Sequence, residues 1–204
     1  GPLIIDDDQD PDVDHDLCLM VDDWRLDNDG QIDQASLGGL HDWSHGGRLG
    51  NWLTVNGKSA PEFRVKDKSR IRLRLISAAN ARIMTLQLTN AAATLIALDG
   101  AFCQREQVTK ITLAPAQRAD VILDMDRGSI EIAEISTGET YPAATLLVDP
   151  ALGPSSLNKT PINTPKPAAL PSLRQLRRIP IHMQGGAMGN LQTAMFDGTE
   201  LSLR

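Results

Sequence analysis

Apolar and polar residues alternate with a period of two along Arg70–Ile76, where Ile71, Leu73 and Leu75 interleave with Arg70, Arg72 and Arg74. That period places the apolar side chains on one face of a strand and the arginines on the other. Strand-length signals recur at Trp52–Val55, Glu62–Val65, Arg82–Leu88, Thr94–Leu98, Thr109–Leu113, Ala119–Asp124, Ile130–Ile135 and Ala144–Val148. Leu17–Val21 is a continuous apolar run that ends at Asp22-Asp23-Trp24. Asn51–Val55 runs into Asn56-Gly57, a pair that predicts a hairpin turn. Asp99-Gly100, Pro115 and Arg127-Gly128 punctuate the later strands. Many short strands, regular turns and no convincing amphipathic helix predict an all-β sandwich and exclude an alternating βαβ design.

Two stretches break the pattern. Arg25–Gly50 is rich in Asp, Asn, Gly and Gln, and reads as a long loop of the kind that is functional or mobile. Asp149–Pro180 carries Pro150, Pro154, Pro161, Pro165, Pro167, Pro171 and Pro180 among few strand formers, which predicts a semi-extended linker. Beyond it, Ile179–Met183 and Thr199–Leu203 read as opening strands of a further domain. The expected division is a strand remnant or domain end over 1–10, one complete domain over 11–149, and linker plus following domain over 150–204.

The formal net charge of −6 over 204 residues argues against nucleic acid or anionic lipid as a partner. Much of the acidic surplus lies between Asp6 and Asp29, and a run of this kind reads as a solvated edge. Aromatic residues make up 3% of the chain, few for a protein that stacks ligands. No apolar run reaches the length of a membrane span, and no secretory signal stands at Gly1. Gly1–Ile5 reads as the interior of a strand, so the chain is expected to be part of a longer one. Cys18 and Cys103 both sit beside apolar residues and read as small buried side chains, with a bridge between them left open.

Taken in order, several of these segments resemble the middle cupredoxin-like domain of a multicopper oxidase of the bacterial laccase or copper-efflux oxidase type. They are Gly1–Ile5, Asp23-Trp24, Asn51–Gly57, Arg72–Asn80, Asp99-Gly100, Ala114–Val121 and Gln184–Gly189. The resemblance implies a cupredoxin-like Greek-key sandwich whose partners are the flanking cupredoxin domains. It implies a parent enzyme that moves single electrons from substrate to a type 1 copper, and on to a trinuclear cluster that reduces dioxygen to water. It also implies a periplasmic or extracellular location. The family's copper ligands lie before the segment matching Gly1–Ile5 and after the one matching Gln184–Gly189, so this chain spans the interval between them.

The histidines agree with that interval. A blue-copper site needs two His and one Cys, with the Cys, a His and a weak axial Met within about a dozen residues. The next histidine after Cys18 is His41, and after Cys103 it is His182. Four histidines (His15, His41, His45 and His182) are too few for a trinuclear cluster. The chain alone is expected to hold no copper and no catalytic, cofactor or metal residue, and to be inactive. The alternative is a copper-free cupredoxin-fold scaffold or cell-envelope protein without oxidase activity. Exposed surfaces meant for neighbours predict self-association of the isolated chain.

Four local features compete with that expectation. His41 and His45 have a metal-ligand spacing, but Gly38-Gly39 and Gly46-Gly47 argue against a helix, so they read as a polar loop. In the intact oxidase that loop would border the substrate approach. His15, beside Asp14 and Asp16, is expected to be exposed with its charged form favoured. His182 with Met183, Met188 and Met195 offers soft donors for Cu(I), but reads as packing. Arg118 and Asp120 share a strand face where they would pair, and Arg70, Arg72, Arg74 and Arg82 read as an interdomain surface meeting a neighbour's acids.

Overall fold

The structure is a computed structural model that describes residues 2–5, 8, 10–126, 128–167, 169, 177, 182–184, 194–196 and 199–201. Its eleven principal strands are β1 (His15–Trp24), β2 (Trp52–Val55), β3 (Glu62–Val65), β4 (Arg70–Ser77), β5 (Met84–Thr89), β6 (Ala93–Leu98), β7 (Ala101–Val108), β8 (Lys110–Leu113), β9 (Arg118–Asp124), β10 (Ser129–Glu134) and β11 (Tyr141–Val148). They form a six-stranded sheet ordered β2-β1-β4-β9-β6-β7 and a five-stranded sheet ordered β3-β11-β10-β5-β8. β1 runs parallel to β4 and β3 runs parallel to β11. The all-β sandwich expected from the alternation is the fold observed.

The core lies between the sheets. Leu19, Val21, Ile71, Leu73, Leu75, Val121 and Leu123 point in from the larger sheet. Met84, Leu86, Leu113, Ile130, Ile132 and Leu146 meet them from the smaller. β4 is the clearest case: its odd-numbered apolar residues are in this core and its arginines face outward, as a period of two dictates. A smaller apolar cluster of Ile96, Ala97 and Ile122 sits on the larger sheet, with Val13, Phe102 and Ile162 packed against it.

The Asn56-Gly57 turn closes as expected, with mutual hydrogen bonds between the backbones of Val55 and Lys58 and positive φ at both central residues. The strands on either side do not pair as a hairpin, however. β2 joins β1 in the larger sheet and β3 joins β11 in the smaller, so the turn carries the chain across the sandwich. β7 was not signalled by the pattern because it is an edge strand with little burial and hence no alternation. The strand expected over Arg82–Leu88 begins only at Met84, because the Arg82 side chain is drawn to Asp23 and Gly50.

The proline-rich segment forms no strand over 155–167, but it is fastened. Ser155 donates to Asp14, Arg70 donates to the Thr160 carbonyl at 2.6 Å, and Arg105 donates to the Ile162 carbonyl. The segment is a strap across the outer face of the larger sheet. A separate small sheet, β12 (Met183–Gln184), β13 (Ala194–Phe196) and β14 (Thr199–Leu201), follows it. Of the expected strands, Ile179–Ile181 and Ser202-Leu203 lie outside the described residues, as do Gly185–Gly189, Met188, Arg127 and Asp6-Asp7. No described helix is long and apolar enough to cross a membrane.

Leu73 is fully buried at the centre of β4. Leu73→Ala is expected to destabilise the chain by roughly 2–5 kcal/mol through lost burial and the cavity left behind. Urea denaturation followed by circular dichroism checks this.

Candidate functional site

The outward face of β4 carries the densest chemistry in the molecule. Register sets Arg70 opposite Asp124, Arg74 opposite Asp120, and Asp16 opposite Arg72. Arg70 donates from Nε to Asp124 Oδ1 at 2.9 Å and from Nη2 to Oδ2 at 3.0 Å, a bidentate pair. Arg72 donates to Asp120 Oδ2 at 2.6 Å and meets Asp10 Oδ1 at 2.8 Å. Arg74 donates to both oxygens of Asp16, at 2.8 and 2.7 Å. Lys159 of the strap reaches Asp124 at 3.3 Å. Four cations thus face Asp10, Asp16, Asp120 and Asp124, and the face is locally neutral.

This arrangement corrects three expectations. The arginines meet acids of their own chain, and Arg70 and Arg72 are buried, so they do not present a free interdomain surface. The early acidic run is not simply solvated, because Asp10, Asp14, Asp16 and Asp23 all enter ion pairs. Arg118 and Asp120 do not pair with each other: Arg118 lies 3.6 Å from Asp99, while Asp120 is taken by Arg72 and Arg74. Burial works against ionisation of Asp124, yet the hydrogen bonds and charges of Arg70 and Lys159 together outweigh it and hold the carboxyl below its usual range. The Asp124 bonds hold the Arg70 guanidinium correspondingly above its own.

His15 also departs from expectation. It is half-buried as the first residue of β1, and the Lys66 amide donates to its Nε2 at 3.0 Å. The ring is therefore neutral with its proton assigned to Nδ1. Burial lowers its pKa most, with Lys66 adding to that and Asp14 opposing it. The adjacent carboxylates that suggested a charged form are spent elsewhere, Asp16 on Arg74 and Asp14 on Arg70, Ser155 and Lys66.

The long loop is closed at its base by Arg25, which donates to the Leu49 carbonyl, and by Asn51, which bonds both ways with Leu26. Within it lies α1 (Leu40–Ser44), a five-residue helix that the flanking glycines argued against. It forms because Arg25 grips Asp42 at 2.9 Å and the Gly47 amide donates to the Asp42 carbonyl. His41 and His45 do share a face: their rings stack with centroids 4.4 Å apart and planes 24° off parallel. Nearly parallel rings at that separation do not aim in-plane nitrogens at one ion some 2 Å away.

Among the described residues no three His, Cys, Asp or Glu side chains gather as metal ligands. Three of the described histidines, as placed, do not fit a copper ion: His15 accepts from a backbone amide, and His41 and His45 stack on each other. Cys18 and Cys103 are free and half-buried, each with its thiol pushed up by burial, so the bridge left open by the sequence does not form. His182 is exposed, while the side chains of Met183 and Met195 lie outside the description. Half-buried Arg82 and buried Asp23 form a pair at 2.8 Å that the sequence did not signal, because the partners are 59 residues apart.

A family model described as multicopper oxidase matches residues 15–132. The cell division protein FtsP of Sodalis glossinidius (strain morsitans) is 37% identical over 161 residues, covering 76% of this chain and 31% of that protein. The multicopper oxidase LPR1 homolog 5 of Oryza sativa subsp. japonica is 34% identical over 132 residues, covering 63% of this chain and 20% of that protein. The crystal structure of Lac15 from a marine microbial metagenome superposes with a TM-score of 0.65 at 30% identity, covering 84% of this chain and 42% of that one. The laccase-like multi-copper oxidase CueO from Ochrobactrum sp. gives 0.66 at 29% identity, covering 78% and 36%. The chain therefore spans a third or less of these two curated relatives and less than half of these solved structures.

Two outcomes test the site. Arg72→Ala strips a buried guanidinium from two carboxylates and is expected to cost roughly 3–5 kcal/mol. Arg118→Ala, removing a half-exposed pair, should cost under about 1 kcal/mol; urea midpoints of both variants check the contrast. His15 binds a proton less readily folded than unfolded, so its stabilisation is complete above the ordinary histidine value of 6.5 and is lost as pH falls below it. Between pH ~7 and ~5.5 the native chain should lose more stability than His15→Gln, which keeps an acceptor without titrating. Equal losses would refute this.

Proposed function

This chain belongs to the multicopper oxidase family, and from that premise we propose that it is the middle domain of a larger oxidase, bracing copper-bearing neighbours. The parent would couple one-electron oxidation of its substrate to reduction of dioxygen to water, in the periplasm or outside the cell. Residues 1–10 would close a preceding cupredoxin domain, 11–149 form the brace, and 150–204 link to and open the next one. The partners would be those flanking domains, and the copper would be theirs.

One observation carries the bracing role: the segments entering and leaving the sandwich are tied to the same sheet face by adjacent arginines. Arg72 meets Asp10 before β1, and Arg70 donates to Thr160 after β11. Asp14 and Ser155 join the two segments directly. A domain that gathers its incoming and outgoing chain side by side holds whatever is attached to them at a fixed spacing. Rigid attachment is what a cluster shared between two other domains requires.

A second reading is a copper-free scaffold without oxidase activity. It is favoured by the cell division proteins among the relatives, which match at identities as high as the oxidases do. Metal analysis and dioxygen uptake of the parent protein separate the two. Stoichiometric copper and uptake with a phenol or a reduced metal ion, together with a several-fold loss of uptake in the Arg70→Ala parent, are the outcomes expected. A parent with neither copper nor uptake would overturn the oxidase reading and leave the scaffold.

A further inference from the structure

A small cavity of about 80 Å³ opens between the sheets, where the ends of β1 and β10 meet the start of β2. Asp23, Trp52, Arg82, Glu134 and Tyr141 are among its lining residues. Two of them are buried carboxylates with unmet capacity. Asp23 Oδ2 accepts from the Gly50 amide at 2.6 Å and from Arg82 Nε at 2.8 Å, while Oδ1 is buried without any hydrogen-bond partner. Glu134 is 2% exposed, and its Oε1 accepts from the amides of Thr85 and Ser136. No described hydrogen bond reaches its Oε2, and no described cation lies within ion-pair distance of it.

Burying an ionised carboxylate without a counter-charge is costly, and leaving one of its oxygens unmet costs more. Arg82 pairs with Asp23, and no described cation pairs with Glu134, so an occupant that brings a positive charge would supply the missing counter-charge. Carboxylates only accept hydrogen bonds, so an occupant must supply donors and positive charge together. A water molecule supplies donors but no charge. The outer wall narrows the class further: Trp52 is 51% exposed and Tyr141 42% exposed, and aromatic faces of this kind attract cations. The volume fits an ammonium with one or two methylenes, given that a water takes about 30 Å³.

We propose that this cavity is a binding site for a primary ammonium group, held by Asp23 Oδ1 and Glu134 Oε2 and flanked by Trp52 and Tyr141. The group comes either from a free amine or from a lysine side chain of a protein partner; the recognising chemistry is the same. Three donors on one nitrogen suit two carboxylates that line one cavity, and the aromatic pair covers the stem.

Titration of the ¹⁵N-labelled chain with methylammonium tests this, read at the Trp52 indole N–H, which the Trp52→Phe variant identifies. Saturable shifts are expected with methylammonium. Methanol, which lacks the charge, and tetramethylammonium, which lacks the N–H donors, should bind about tenfold more weakly or worse. Glu134→Gln should weaken methylammonium by a similar factor while keeping the acceptor for Thr85 and Ser136. Trp52→Ala, at the exposed wall, lacks that reporter and is followed instead at the Gly50 and Ser136 amides that bond to Asp23 and Glu134; it should weaken binding several-fold. N-acetyl-lysine methylamide separates the sources: tighter binding than methylammonium marks a lysine site, weaker binding a free-amine site. Equal responses to methylammonium and methanol, or unaltered binding in both variants, would overturn the proposal and leave only bound water.

Discussion

The structure depends on the neutralisation of three buried or half-buried arginines on one strand. β4 is the centre of the larger sheet, and its inward leucines build the core. The same alternation that buries Leu73 obliges Arg72 to face the other side, where it is 5% exposed. A guanidinium cannot be neutralised by losing its proton, so the chain must bring carboxylates to it. Asp120 and Asp124 come from β9 in register, and Asp16 from β1. Asp10 and the Thr160 carbonyl come from outside the sheet. The last two are consequential: satisfying the arginines is what draws both flanking segments onto the sheet.

What the sequence revealed and concealed follows from the range of the forces involved. Strands buried on one face announce themselves by local alternation, and β4, β9 and β10 lie close to where that pattern puts them. β7 has no buried face to leave a pattern, and its pairing with β6 is decided by neighbours. The Asn56-Gly57 pair specifies a turn because two left-handed residues are a local matter. Whether its arms then pair is decided by the core, and here the core pulls them into different sheets. Alternation also placed Arg118 and Asp120 on one face correctly, but a face does not choose partners. Arg72 and Arg74 compete for Asp120 across the ladder and win.

Charged residues were the least legible. A run of aspartates next to a histidine looks solvated and acidic from the sequence, because neither burial nor distant partners are visible there. In the fold, Asp14 and Asp16 are engaged by residues more than fifty positions away, and His15 becomes a neutral acceptor for a backbone amide. Asp23 and Arg82 are hidden for the same reason. The resemblance, by contrast, was legible because an ordered set of short motifs survives where each alone would be weak. It implies that the family's copper ligands lie outside this chain; His41 and His45 stack on each other, and His15 accepts from a backbone amide.

The sources of the sandwich's cohesion bear on the place proposed for it in a larger protein. A domain whose stability comes from ligand binding folds only as its ligand arrives. Among the described residues, the sandwich is held by an apolar core and by ion pairs between its own side chains. The sandwich is shared with relatives named for cell division and with relatives named multicopper oxidases. Under the bracing role proposed above, ties of this kind would fix the spacing of the neighbours in advance, so that a shared cluster would meet its ligands already in place.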